Sequence, residues 1–188
     1  MPRKFTFQKE EIINAALDLT RERGLSAVTA RSLGAKLGTS SQPIFGHFDS
    51  MDEVKASVID AASTLYRHYL NSDIKSGKYP PYKASGMAYI RFAREQRELF
   101  KLLFMCDRSP EDMTKESPEF EEVIDILVKQ TNISRERAIL FHLEMWAYVH
   151  GVAVMIATGY YDWSEELCSQ ALTDIYEGLR HTFAGRDK

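Results

Sequence analysis

The sequence predicts an all-α chain in two parts: an N-terminal three-helix unit built around a helix-turn-helix, and a C-terminal helical unit. Three observations carry this. Apolar residues recur at three- and four-residue spacing along most of the chain, and no stretch shows the strict alternation of a half-buried strand. Helix-stopping residues stand at Gly24, Gly38, Gly77 and Pro80-Pro81. Between residues 29 and 48 a cap residue, a short helix, a glycine turn and a second short segment follow one another.

The elements follow in order. Residues 8–23 form a first helix, with Ile12, Ala16 and Leu19 on one face, widened by Ile13 and Leu17, and Gly24 stopping it. A second helix at about 29–36 is capped by Thr29, whose hydroxyl can accept an orphan backbone N–H. Ala30, Leu33 and Leu37 share its inner face, and Ala30 and Ala35 are small enough for a neighbour to come close. Gly38 supplies the positive φ of a tight helix end. A third helix is expected at about 40–46, with Ser40 as N-cap and Pro43 where its missing N–H is harmless. Ile44, Phe45 and Phe48 anchor that helix, leaving Ser41, Gln42 and His47 for outward use.

A long helix then runs from about 51 to 75, burying Val54, Val58, Ala61, Leu65 and Tyr69. After the prolines come helices at about 82–97 and 97–106. The second is apolar nearly all round and is expected to be buried. Residues 107–118 read as an exposed loop. Helices follow at about 119–131, from Ser134 to about Thr158, and from Trp163-Ser164 to near Gly185. The expected division is 1–50 for the helix-turn-helix unit, a linking helix to about 76, and 81–188 for the second unit.

The segment 29–48 has the form that offers a recognition helix to the DNA major groove. Gln can bond adenine through two contacts, and Ser can bond a base edge or a phosphate. Between Glu22 and Asp49 the chain has no acid, while Arg23, Arg31 and Lys36 are basic, so the segment opposes no phosphate. The wider charge balance is less favourable. Residues 1–60 carry eight basic and eight acidic groups, and the chain's net charge is −3, so any positive face must come from arrangement. A palindrome-binding dimer needs only a few phosphate contacts per subunit, helped by backbone N–H groups.

These residues resemble the TetR family of one-component bacterial transcriptional regulators. The resemblance runs from about residue 8 to 60: Ile13, Ala15, Ala16 and Leu17; Arg23-Gly24-Leu25; Val28-Thr29-Ala30-Arg31-Ser32-Leu33; Leu37-Gly38-Thr39-Ser40; Ile44-Phe45-Gly46-His47-Phe48; and Met51-Asp52-Glu53-Val54. It implies a DNA-binding domain followed by a helical ligand-binding and dimerisation domain. The candidate DNA contacts are Thr29, Arg31, Ser40, Ser41, Gln42, Pro43, Phe45 and His47; the N-terminal residues, with Lys4, read either as a short basic arm along the backbone or as a disordered tail. Three residues depart from the family pattern. Phe45 stands where Tyr is common, Pro43 near the usual Thr, and Met51 where Lys is frequent, each removing a backbone-positioning contact.

The C-terminal half concentrates aromatic and methionine side chains, and apolar clefts between helices are common small-molecule sites. The resemblance implies an inducer here whose binding alters the spacing of two DNA-binding heads. Phe92, Phe104, Trp146 and His150 are the candidate wall residues. Trp146-Ala-Tyr-Val-His150-Gly151 is similar to a Trp…His-Gly signature in one subgroup of these regulators. The last two helices are the expected homodimer surface, through Val152, Met155, Ile156, Leu172, Ile175, Tyr176 and Leu179 in a four-helix bundle about a two-fold axis. A two-fold protein implies a palindromic operator.

His142 and His150 lie eight residues apart, about 12 Å along a helix, too far for one metal ion. No phosphate loop, nucleophile elbow, paired-His motif or triad is present, so no catalytic residue, metal or cofactor is expected. Cys106 and Cys168 lack metal-ligand spacing and read as reduced, buried thiols of a cytoplasmic protein. No run reaches the roughly 18 apolar residues of a membrane span. The N-terminus does not read as a signal peptide. The sequence therefore reads as a ligand-controlled, sequence-specific DNA-binding regulator, expected to repress. A second reading, motivated by the neutral head, is a helical homodimer working through protein contacts or as an enzyme, with a helix-turn-helix that does not bind DNA.

Overall fold

The structure, a computed structural model, describes residues 7–107 and 118–185. Those residues form eight α-helices: α1 (Lys9–Arg23), α2 (Ala30–Lys36), α3 (Met51–Ser76), α4 (Pro81–Glu95), α5 (Arg97–Phe104), α6 (Pro118–Thr131), α7 (Arg135–Thr158) and α8 (Glu165–Gly185). Two short 3₁₀ turns, Leu25–Ala27 and Ile44–Gly46, join the early ones. The chain forms two compact units, Met1–Leu65 with Gln96–Cys106, and Tyr66–Glu95 with Asp107–Lys188. This differs from a division at residue 81: α5 belongs to the amino-terminal unit, where it packs on α1.

In that unit α1 buries Ile12, Ala16, Leu17 and Leu19. Glu10 and Glu11 sit in its first turn and Arg21 and Arg23 in its last, each sign at the favourable end of the helix dipole. Thr29 caps α2 reciprocally: its Oγ1 accepts the Ser32 N–H at 3.1 Å, and Ser32 Oγ accepts the Thr29 N–H at 3.0 Å. At the start of α3 Glu53 accepts the Asp49 N–H at 2.7 Å and pairs with Lys9 at 3.3 Å. The backbone bond, then the lysine, hold its carboxyl below the usual range.

Three expectations for this unit are corrected. Residues 40–46 are not an α-helix; regular structure there is confined to the 3₁₀ turn Ile44–Gly46. Proline 43 has no N–H and disfavours a helical Gln42, and Gly46 is a poor helix former, so Ser40 caps nothing. Phe45 is 47% exposed rather than an anchor; Ile44 and Phe48 alone are buried. The apolar α5 fully buries only Leu99 and Phe100, packing chiefly on α1; Leu102, Leu103 and Phe104 are half-buried and Met105 is exposed.

In the carboxy-terminal unit α4 is the central helix, burying Tyr82, Met87, Tyr89, Ile90, Phe92 and small residues between α6, α7 and α8. Gly86 explains how α8 comes so close: a Cβ there would lie 2.9 Å from Leu172 Cδ2. Two hydrogen bonds tie α4 to α7 at matching heights. Tyr82 Oη lies 3.0 Å from His142 Nδ1, and Tyr89 Oη 2.9 Å from His150 Nδ1. The end of α3 joins through Arg91, which forks onto Asp73 at 2.7 and 3.1 Å and stacks on Tyr69.

Further expectations change here. Val152, Ile156 and Leu172 are buried within the chain's own core, so they are unavailable to a second subunit. The outward apolar residues of α7 are instead Leu140, Leu143 and Trp146. No continuous run of about 18 apolar residues exists, but by length and mean hydropathy α7 passes for a membrane-crossing helix, as a core helix also can. Scattered His142, Glu144 and His150 interrupt any continuous apolar run, yet the average stays high because the helix has both a core face and an apolar outer face. Cys168 is buried, but Cys106 is exposed. The predicted 107–118 loop lies, apart from its ends, outside the described residues.

Burial holds His142 down at about pH 4, against 6.5 for the free side chain. Between those values the unfolded chain binds more protons than the folded one, so stability falls as pH drops from 6.5 towards 4. The full loss is on the order of 3 kcal/mol. Urea denaturation at about pH 7.5 and about pH 5 should show about 2 kcal/mol of that loss, and His142→Phe should remove most of the difference. An unchanged difference in the variant would assign the acid sensitivity to other groups.

Candidate nucleic-acid interface

The turn after α2 is set by backbone proximity. Gly38 takes φ 67°, and the Thr39 N–H bonds the Gly34 carbonyl at 2.9 Å. Gly34 is the contact point: a Cβ there would stand 3.0 Å from Thr39 O, 3.2 Å from the Ser40 carbonyl carbon and 3.2 Å from Ser41 N. The expected close approach at Ala35 is not made, since Ala35 is exposed; Gly34 provides it.

From that turn Ile44 and Phe48 enter the core beside Leu33 and Val28. Their burial fixes which way the intervening side chains face. Ser40, Gln42 and Phe45 are exposed, and Ser41 and Pro43 are half-buried. Neither the Gln42 amide nor the Ser40 and Ser41 hydroxyls have a side-chain hydrogen bond among the described residues, so they are available to a ligand. Thr29 and Arg31 are exposed on α2, and Arg31 makes no ion pair among the described residues. The Thr29 hydroxyl already serves the helix cap.

His47 is half-buried and less free than expected. Its Nε2 lies 2.8 Å from the carbonyl oxygen of Phe7, which ties the end of the turn to the chain two residues before α1. Lys4 lies outside the described residues. Charge also rearranges on folding. Glu22, distant in sequence, reaches Lys36 at 2.5 Å and lies 4.0 Å from Arg23, so the segment is not free of acid in space.

The four candidate ligand residues do not share one setting. Phe92 is fully buried, edge-on to Tyr66 and Tyr69. Phe104 belongs to the amino-terminal unit, against Phe100. Trp146 is exposed and stacks on His150 at 4.9 Å, and burial lowers the His150 pKa. A separate cleft of about 380 Å³ opens in the carboxy-terminal unit. Asp73, Lys78, Met87, Arg91, Arg94, Glu165 and Cys168 are among its lining. Composition could not locate it, because its charges come from three helices and the α3–α4 connection and are paired only in the fold. Among the described residues no three His, Cys, Asp or Glu side chains gather where a metal could sit.

Residues 12–58 match the family model described as bacterial regulatory proteins, tetR family, and residues 82–175 match that of a tetracyclin repressor-like C-terminal domain. An uncharacterized HTH-type transcriptional regulator of Mycobacterium tuberculosis, Rv0681, is 22% identical over 158 residues, spanning 82% of this chain and 72% of the relative. The fold is similar to the multidrug binding protein EbrR complexed with imidazole, with a TM-score of 0.55 at 14% identity and 93% of each chain covered. The ketosteroid transcriptional regulator KstR2 of Mycobacterium tuberculosis gives a TM-score of 0.54 at 14% identity, covering 92% of this chain and 95% of its own. A TetR variant from Acinetobacter baumannii AYE in complex with minocycline gives 0.53 at 15% identity, covering 97% and 99%.

Gly34→Ala should separate stability from site geometry. Its helix-propensity gain, up to about 1 kcal/mol, offsets the cost of pushing the turn backbone away by a few tenths of an ångström. The melting midpoint should therefore move little, while affinity for duplex DNA falls several-fold. Unaltered affinity would show that the position of the turn is not critical.

Proposed function

The chain belongs to the TetR family of bacterial transcriptional regulators, and from that premise we propose that it is a ligand-controlled repressor that reads a palindromic operator. DNA-binding transcriptional regulation is the property of the family; repression, the ligand and the operator are the proposal. The observation that carries it is the partition of one short segment, with Val28, Leu33, Ile44 and Phe48 buried and Thr29, Arg31, Ser40, Gln42 and Phe45 facing solvent.

On this reading Gln42 enters the major groove and selects a base, with Ser40 and Ser41 beside it on base edges or phosphates. Arg31 neutralises a phosphate, and Thr29 presents the start of α2 to the backbone. Phe45 and the Pro43 ring supply apolar contact, suited to a thymine methyl. His47 holds Phe7 beside the recognition turn.

The operator's symmetry would come from a homodimer through the outer faces of α7 and α8. Leu140 and Leu143 are nearly half exposed, and one and two turns beyond Leu143 Ala147 and Gly151 are small. A Cβ at Gly151 would meet nothing within 4 Å, although glycine inside a helix costs about 1 kcal/mol relative to alanine. A second copy of the helix crossing there gives that glycine a purpose. An effector would bind the carboxy-terminal unit, in the Asp73–Arg91 cleft or beside the Trp146–His150 stack, and would act by preferring one spacing of the paired heads. Two of the relatives above hold imidazole and minocycline, which supports a small molecule as the class of effector. Such a protein works in the cytoplasm, where a bacterium keeps its DNA.

The decisive experiment measures binding to the DNA upstream of the chain's own gene, against random duplex, at two salt concentrations. A preferred site whose affinity weakens with salt is expected. Gln42→Ala should relax preference at one base pair at a cost of roughly 1–3 kcal/mol, whereas Arg31→Ala should weaken all sequences alike. No preference over random duplex at low salt would leave the family fold without this function. For the assembly, Leu143→Glu should sediment as a monomer and lose the palindrome while keeping its helical content; a dimer in that variant would move the interface elsewhere.

A further inference from the structure

Beside α2 the amino-terminal unit has an open recess of about 340 Å³, walled by Leu19 and Ala35 and rimmed by Arg23, Arg31 and Lys36. Three cations converge on it from two helices. Among the described residues the acid paired with them is Glu22, whose carboxylate lies 2.5 Å from Lys36 Nζ and 4.0 Å from the Arg23 guanidinium. The Thr29 and Ser32 hydroxyls at the rim are engaged with each other and with the backbone, so the charges set what the recess attracts. We propose that this recess is a seat for a phosphate group, and that Glu22 is its internal competitor, holding Lys36 when no phosphate is present.

The proposal rests on the DNA-binding reading for its natural ligand, a backbone phosphodiester, but the seat is defined by phosphate chemistry alone. The competitor is easily displaced. The Glu22 carboxylate is half exposed, with relative exposures of 52% for Glu22 and 29% for Lys36, and exposed ion pairs are weak. A duplex that delivers a phosphate also releases condensed counterions, which drives the exchange. After exchange Glu22 remains beside the phosphate it replaced and repels it. The device therefore lowers affinity for every sequence equally, because it acts on the backbone and not on the bases. It also gives the near-neutral head a function: weak binding to random DNA leaves the base contacts of Gln42 to decide where the protein stays.

The test uses the full chain as wild type, Glu22→Gln, Lys36→Met and the double variant, with folding checked by thermal melting, since both positions are at the surface. Each is titrated with random duplex at several salt concentrations, and separately with inorganic pyrophosphate followed by thermal shift. Glu22→Gln should bind duplex about three- to tenfold more tightly and add about 0.9 per subunit to the salt slope. Lys36→Met should weaken binding, and in that background the gain from Glu22→Gln should shrink below about twofold. Pyrophosphate should stabilise Glu22→Gln most, wild type less and Lys36→Met least. An equal gain from Glu22→Gln with and without Lys36 would overturn the proposal, because the acid would then act only as a distant charge. Duplex binding that is indifferent to these variants, with a flat pyrophosphate response, overturns the seat and leaves the regulator reading standing. The ordered pyrophosphate response without any duplex binding supports the seat and removes DNA as its ligand.

Discussion

The close approach of a turn to a helix backbone at Gly34 is the constraint on which the amino-terminal unit depends. Only the missing side chain lets Thr39, Ser40 and Ser41 lie within about van der Waals distance of α2. With the turn held there, Ile44 and Phe48 are delivered to the core that Leu33 has started, and Gln42 is left facing outward. The segment between α2 and α3 needs no regular α-helix to achieve this. Its two buried anchors stand four residues apart, and a 3₁₀ turn between them keeps both in place. Its orientation is therefore imposed from outside by packing, not by its own hydrogen bonding.

Electrostatics in this unit follow arrangement rather than composition. Residues 1–60 carry equal numbers of acids and bases, yet Arg23, Arg31 and Lys36 line one recess while Glu53 and Lys9 satisfy each other elsewhere. A surface organised in this way has a weak long-range attraction for polyanions and a stronger short-range one. That balance suits a protein whose specificity must come from base edges.

The carboxy-terminal unit is organised around α4, which is buried on most sides and so tolerates few polar groups without partners. Tyr82 and Tyr89 meet this requirement by pairing with His142 and His150 one above the other. Burial raises the phenol pKa values and lowers those of the imidazoles, so all four groups stay neutral and hydrogen-bonded. The pairs fix α7 along α4, and α7 in turn presents its outer apolar residues. A change in the packing of α4 would be felt along that outer face, the kind of linkage an effector can use.

Local rules read from the residues were reliable where the deciding interaction lies within a few positions. Helical periodicity, the Thr29 cap, the positive φ at Gly38 and the break at Gly77 and Pro80-Pro81 all depend on neighbours in the chain, and these features stand in the structure. The family pattern was legible for the same reason, since it is a series of such local signals. What the residues did not disclose depends on contacts made across long stretches of chain. Gly34 rather than Ala35 makes the close approach, Glu22 returns to Lys36, α5 joins the unit of α1, and Val152 and Leu172 turn inward. Periodicity shows that a helix has an apolar face, but two apolar faces on one helix look alike in sequence. Which of them becomes core and which stays open is settled only when the other helices take their places.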